Sequence, residues 1–344
     1  MSGRLLRWLL SLGVRGNGAR RGSPRLTIVR HHRVYADGDR RLYPLGVSER
    51  LFAGQLEACA RAGLVPRTVR EGLEWLKRGE PGHAVAFSFD DGYADNVDRA
   101  LPILRRFGAR ASFYLAAGLI EERRAPWWDE LAWLLERGEA AAAVVTLAGE
   151  PLPIERASAA GRRVALARLL PLLRVPPAEQ RARLEALRVA LRAPAGAPCE
   201  LAGWPALAAL GEAGMELGSH TLSHPFLSLL PPDEQRRELG GAAALIRERT
   251  GAEVTGAAYP NGDHDPATMC AARDAGLGYA LATSAGDCTL RDLAAGGRLH
   301  ELPRRALPEG ACVGPTGAFS RRMTLAELDG AFDALRGRAR EAAT

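Results

Sequence analysis

The chain has no Cys-x-x-Cys pair, no apolar run long enough to cross a bilayer, no internal repeat and no aromatics interleaved with its arginines. Each absence removes a class of protein. The five cysteines, Cys59, Cys199, Cys270, Cys288 and Cys312, are scattered and odd in number. That argues against a disulfide framework and for a reducing compartment, so a cytoplasmic location is expected. A spanning helix needs about 20 apolar residues, whereas the run Leu5-Leu6 to Trp8-Leu9-Leu10 is short and broken by Arg7. No small-x-small cleavage site follows, which argues against a signal peptide. The arginines around that run leave two readings of residues 1–25: a basic segment lying on an anionic membrane, giving peripheral contact, or a frayed basic leader. The net charge of +6 comes without aromatic interleaving, so nucleic acid is not an expected partner.

What is present is enough for a large core: 344 residues, 47% hydrophobic. The pattern alternates strand and helix, the mark of a parallel α/β architecture. Strands are expected at 26–29, 64–68, 85–89, 111–116, 215–219, 254–259, 279–283 and within 302–307. A polar, turn-rich stretch runs to Pro44. Helices are expected after Ser48, over 69–77, 94–107, 205–213 and 232–249, and from Asp265-Pro266 to Gly276. The alternation breaks after about Leu119. Residues 121–199 read as an inserted, mainly helical subdomain with a hairpin within 144–154 and a Pro194–Pro198 linker. Its tryptophans, Trp127 and Trp128, are expected in a core, since apolar residues at helical spacing pack inward. Residues 26–120 and 200–312 form the main domain. Thr324-x-x-Glu327 reads as the capping box of a C-terminal helix to about Arg338, within residues 313–344.

Two stretches carry chemistry. In Val85-Ala86-Phe87-Ser88-Phe89-Asp90-Asp91-Gly92-Tyr93 an apolar strand ends in adjacent carboxylates and a glycine turn. Gly218-Ser219-His220-Thr221-Leu222-Ser223-His224-Pro225 holds two imidazoles four residues apart, and Pro225 biases His224 away from helix. Two histidines and one aspartate make a three-ligand metal site with open positions. Tyr93, Asp95 and Asn96 are candidates to reach a substrate, with Asp95 equally a helix cap.

These stretches resemble the polysaccharide deacetylase family, carbohydrate esterase family 4. Ser88-Phe89-Asp90-Asp91-Gly92 is similar to its Thr/Ser-Phe-Asp-Asp-Gly motif, Ser219 to His224 to its metal-binding histidine motif, and Tyr259-Pro260-Asn261-Gly262 to its third motif. Arg30-His31-His32-Arg33-Val34 resembles the Tyr-His-Arg-Val opening of a bacterial subgroup linked to surface-polysaccharide synthesis. The resemblance implies a distorted (β/α) barrel binding a divalent cation, zinc by default, with cobalt, nickel and iron as alternatives. It implies Asp91, His220 and His224 as ligands, Asp90 as general base, and Tyr93, Tyr259 and Pro260 as substrate or oxyanion contacts, the Tyr259 N–H in particular. The chain departs from the pattern twice. Ala258 stands where an arginine commonly orients the base, leaving Arg304 or Arg305 to supply that charge. The general acid is then His32 or His300, with His32 favoured because strand ends converge in a barrel mouth. The implied activity is removal of acetyl groups from N-acetylated sugars of a glycan or its lipid-linked precursor. The alternatives are a degenerate glycan binder without turnover, or a hydrolase of another ester or amide.

Overall fold

The computed structural model of the chain describes residues 23–333 together with Trp8 and Ser11. β1 (Arg25–His31) is followed by a short parallel pair, β2 (Arg33–Tyr35) and β3 (Gly46–Ser48), which flank the turn-rich stretch to Pro44 and were not expected. The Ser48 hydroxyl accepts from the Leu51 N–H and starts helix α1 (Glu49–Arg61). Thr68 and Glu71 close a reciprocal cap on α2 (Val69–Lys77). The strand expected at 64–68 is reduced to one bridge, Arg67 to Ala86, because Thr68 is committed to that cap. β4 (His83–Asp91) follows, then a π turn at Asn96–Ala100 leading into α3 (Leu101–Arg106), then β5 (Ala111–Leu115).

The insertion folds on itself. Helices α4 (Trp127–Arg137), α5 (Ala159–Leu172) and α6 (Pro177–Leu191) pack with a hairpin of β6 (Ala142–Leu147) and β7 (Glu150–Glu155). Leu131, Leu135, Leu169, Leu184 and Leu187 form a core separate from that of the sheet.

The main chain then resumes with α7 (Trp204–Glu212), β8 (Glu216–Ser219), α8 (Pro232–Thr250), β9 (Gly256–Ala258), α9 (Pro266–Asp274) and β10 (Tyr279–Leu281). β11 (Cys288–Thr289) and β12 (Arg305–Ala306) complete the sheet, whose order is β10-β9-β8-β5-β4-β1-β11 with β12 also on β1. All pairs are parallel except β1 with β11. The segment 302–306 closes the seam: Leu302 bridges to Leu281, and Arg305 pairs with Val29. The result is a distorted (β/α) barrel.

Strand alternation sorts the side chains. Val85, Phe87 and Phe89 face the outer core under the helices, while Leu26, Ile28, Ala84 and Ala86 face the barrel interior. Tyr114 and Tyr279 fill that interior across Gly218 and Gly256, where a Cβ would overlap their rings. Glu216 anchors them, accepting from Tyr279 Oη at 2.6 Å, while the two tyrosine hydroxyls meet at 2.9 Å.

The C-terminal expectation is corrected. Ser320, not Thr324, caps the helix on that stretch, α10 (Arg321–Leu328). Thr324 lies inside it and donates to the Ser320 carbonyl at 3.1 Å. Gly330, at φ +71°, follows its end, and residues 334–338 lie outside the described residues, as does nearly all of the basic segment 1–25. Among the described residues no helix is long and apolar enough to cross a membrane.

Candidate active site

Asp90 and Asp91 are consecutive on β4, so alternation should send them to opposite faces. Asp91 escapes through its backbone. It sits at φ 77°, followed by Gly92 at φ 89°, a left-handed pair that turns the strand end over. Both carboxylates consequently line one cavity of about 360 Å³ at the carboxyl ends of the strands. His220 and His224 enter from the loop after β8. Thr221 and His224 in that loop also have positive φ, 68° and 55°. Glu238 of α8 pins the loop by accepting from the Leu222 and Ser223 N–H groups at 2.8 and 2.9 Å.

The three expected ligands converge. Asp91 Oδ1 lies 3.4 Å from His220 Nε2 and 3.6 Å from His224 Nε2. All three donor atoms lie within 4.8 Å of one another, the one such cluster found among the described residues. Donors about 2.0–2.2 Å from one cation in tetrahedral array stand about 3.3–3.6 Å apart, so the spacing fits. So does the hydrogen bonding. Both Asp91 oxygens are buried without a hydrogen-bond partner. His220 Nδ1 contacts the Ala258 carbonyl at 2.7 Å, which places its proton there and leaves Nε2 a free lone pair. The protonation preferences follow the crowding. Burial pushes Asp91 up, but His220 and the other nearby imidazoles outweigh it and hold it below the usual range. Burial opposes a charged His220, yet Asp90 and Asp91 raise it, while burial and His220 push His224 down to about 3.

Asp90 is held apart from this trio. Arg304, with a fully buried side chain, donates from Nη1 to Asp90 Oδ1 at 2.7 Å. Burial raises the Asp90 pKa, and Arg304 more than reverses it, so the group stays ionised. The charge missing at Ala258 is thus supplied across the seam. Arg305 does not take part. Alternation turns it outward, to Asp287 at 3.0 Å and Asp333 at 2.6 Å, so of the two arginines expected to supply that charge or to reach substrate it does neither.

His32 lines the cavity with Nε2 3.9 Å from Asp90 Oδ2. Burial lowers its pKa against the pull of Asp91 and Asp90. His300 turns away, with Nε2 on the Leu277 carbonyl at 2.8 Å. His31, its neighbour in sequence on the other face, packs among Phe52, Phe87 and Phe89.

Three further expectations need correction. Tyr93 is fully buried and outside the cavity lining: its hydroxyl donates to Asp129 at 2.8 Å and accepts from Trp128 Nε1 at 2.8 Å. The Tyr259 ring does line the cavity, but its N–H already donates to the Leu281 carbonyl at 3.0 Å, continuing the β9–β10 pairing. It is therefore not a free oxyanion donor. Pro260 is buried at the start of a 3-10 turn and is not part of this cavity's lining. Asp95 and Asn96 also stay out of the cavity: Asp95 takes Arg33 Nε at 2.7 Å, and Asn96 donates to the His32 carbonyl at 2.8 Å.

Sequence reasoning missed several walls of the cavity. Trp127 and Trp128 come from α4 of the insertion, and the Trp128 ring sits 4.2 Å from that of His224. Tyr43 and Arg30 were also missed. For Arg30 the signal was available, because it shares strand parity with Leu26 and Ile28 and so faces inward.

Residues 77–280 match the family model described as polysaccharide deacetylase. The match takes in both motif stretches and the insertion but stops short of β1 and Arg304. Among solved structures the chain is similar to the Streptococcus pyogenes deacetylase PplD in complex with acetate, at 17% identity over 83% of this chain and 93% of that one, with a TM-score of 0.55. It is similar to IcaB from Ammonifex degensii, at 18% identity over 90% and 98%, TM-score 0.54. The BpsB deacetylase domain from Bordetella bronchiseptica gives 16% identity over 83% and 96%, TM-score 0.50. At these identities the likeness carries the fold. No curated protein matches the chain.

Proposed function

The chain belongs to the polysaccharide deacetylase family of carbohydrate hydrolases, and we propose that it removes acetyl groups from N-acetylated sugar units by metal-dependent hydrolysis. The observation that carries this reading is the division of labour between the adjacent acids. Asp91 is offered, unpaired, to two imidazole nitrogens, while Asp90 is kept off that cluster by Arg304.

A divalent cation held by Asp91, His220 and His224 would polarise the acetamide carbonyl and acidify the attacking water; two nitrogens and one oxygen suit zinc. Asp90, held ionised, accepts the water's proton as general base. Arg304 fixes its orientation at the cost of some basicity. His32, on the other side of Asp90 and reachable from the cavity, carries a proton to the departing amine nitrogen. Burial lowers its pKa, so the ring is neutral at rest, and the proton it hands on is the one that Asp90 takes from the water. Trp127 and Trp128 wall off solvent on the insertion side. The buried Arg304 beside Asp90 and the placement of His32 in the cavity support turnover over a glycan binder without it.

The test combines metal analysis with acetate release from N-acetylated oligosaccharides. Stoichiometric metal and acetate production are expected. Asp90→Asn should keep the metal and lose roughly two to four orders of magnitude in kcat, whereas Asp91→Asn should lose the metal. Full metal with no acetate from any acetylated sugar would return the reading to a binder, and turnover confined to other esters or amides would reassign the substrate.

A further inference from the structure

Arg30 lines the active-site cavity beside His32, Asp90 and Asp91. Among the described residues its guanidinium has no hydrogen-bond or ion-pair partner. The nearby acids face other groups: Asp90 is bonded to Arg304 at 2.7 Å, and Asp91 is turned to the two imidazoles at 3.4 and 3.6 Å. Burial and the like charge of Arg304 disfavour the charged form, against the longer-range pull of Asp90, Asp91 and Tyr43. Arg30 is half-buried, and a cation partly withdrawn from water without a hydrogen-bond partner is left under-satisfied. The adjacent inward positions on the same strand, Leu26 and Ile28, are apolar and fully buried, so an aliphatic residue would suit the barrel as well. The five donors of the guanidinium are left for something that enters the cavity.

The surroundings indicate its chemistry. Tyr43 joins the cavity to a second cleft of about 310 Å³ lined in part by Arg40, Arg41 and Arg137. Arg41 is answered by Glu200, but neither Arg40 nor Arg137 has a carboxylate partner among the described residues; Arg137 lies over the Trp133 ring at 5.0 Å. That cleft also carries Asp129, Glu136 and Glu200, but Asp129 is held by Tyr93 and Glu200 by Arg33 and Arg41, so guanidinium groups without a carboxylate partner stand on both sides of Tyr43; their fork geometry matches carboxylate and phosphate.

We propose that Arg30 is a specificity-determining residue that binds an anionic oxygen group, a carboxylate or a phosphate, on the sugar bearing the acetamide or on its neighbour. The substrate of this chain is then an anionic glycan or a sugar phosphate, not a neutral homopolymer. The inference rests on the cavity being the sugar site, and it is tested by binding so that turnover is not required.

Binding to the full chain, followed by tryptophan fluorescence or calorimetry, is compared for N-acetylglucosamine, its 1-phosphate, and a disaccharide joining glucuronate to N-acetylglucosamine. At least one charged ligand should bind about tenfold or more tightly than the neutral sugar, as expected for a charged hydrogen bond. Which one does so separates phosphate from carboxylate. That preference should shrink to within about twofold in Arg30→Gln, survive in part in Arg30→Lys, and weaken with added salt. Metal content and the thermal midpoint are measured beside it. If Arg30→Gln does not fold, the comparison of Arg30→Lys with the wild type decides, a full and unreduced preference counting against the proposal. Equal affinity for charged and neutral sugars, absence of binding included, overturns it. So does a preference that persists in Arg30→Gln, which would place the anion on the metal. Acetate release is assayed separately: charged-sugar binding without acetate would sink the catalytic reading and leave this one standing, and equal turnover of neutral and charged substrates would do the reverse.

Discussion

One torsion angle at Asp91 decides what the adjacent acids can do. Were its φ that of an ordinary strand residue, its carboxylate would point into the outer core with Phe87 and Phe89 and cost the energy of an unpaired buried charge. The left-handed turn instead delivers it to the imidazoles and leaves Asp90 to Arg304. The Asp90–Arg304 pair is almost wholly buried, so removing one partner strands the other. Arg304→Gln is expected to reduce kcat by about 10- to 100-fold and destabilise the fold by about 3–5 kcal/mol, with metal content unchanged. Arg304→Lys, which keeps the charge but not the fork, should recover part of both. Acetate release and elemental analysis on the same preparations check this; a variant that loses metal in step with activity would mean that Arg304 acts on the ligands rather than on the base.

At the scale of elements, the insertion is more than an appendage. Helix α4 brings Trp128 against His224, and the Trp128 N–H is tied through Tyr93 to Asp129 on the same helix. Burial pushes Asp129 up to about 6, consistent with how deeply this network lies. His224 needs that support, because its Nδ1 has no hydrogen-bond partner and packing alone orients its ring. Trp128→Ala should therefore weaken metal binding by about tenfold, in the range found for outer-shell partners, and Trp128→Phe by less. A chelator competition titration measures it, and unchanged affinity in the alanine variant would show that the ring is only a wall. The same elements show what could be read from sequence. The ligand trio and the barrel strands were legible because their signals are local: an apolar run ending in acids, a His-x-x-x-His ahead of proline. Arg304 against Arg305, and Trp128 against a plain core residue, were not. Those depend on which face a two-residue strand presents and on how an inserted helix docks, and both are set by contacts 96 and 214 positions away in the chain.

At the scale of the whole molecule, the end of the barrel opposite the site is closed by a partly buried ionic network that ties the C-terminal turn to the sheet. Arg25 reaches Asp287 at 3.0 Å and Asp329 at 2.6 Å, and Arg305 joins Asp287 to Asp333. Within it His83 accepts from Arg25 at Nδ1, 3.1 Å, and meets Thr27 Oγ1 through Nε2 at 2.8 Å, while Thr27 donates to Asp287 at 2.6 Å. That chain of donors works only with a neutral ring. Burial and Arg25 lower His83 to about 4, and burial among aromatic rings lowers His31 to about 3. Both values lie below the unfolded value near 6.5, so the sign is fixed. Above pH 6.5 neither state binds the proton and stability is level. As pH falls from 6.5 towards 4 and then 3, the unfolded chain takes up protons that the folded chain refuses, and stability is lost. Each histidine should contribute up to about 2 kcal/mol of that loss between pH 7 and pH 5. Urea midpoints measured from pH 8 to pH 4 on the wild type, His83→Gln and His31→Phe should show a shallower acid decline in each variant, whatever its stability at pH 8. Three parallel declines would mean that the two rings are charged in the fold, and the donor chain through Thr27 would have to be drawn the other way.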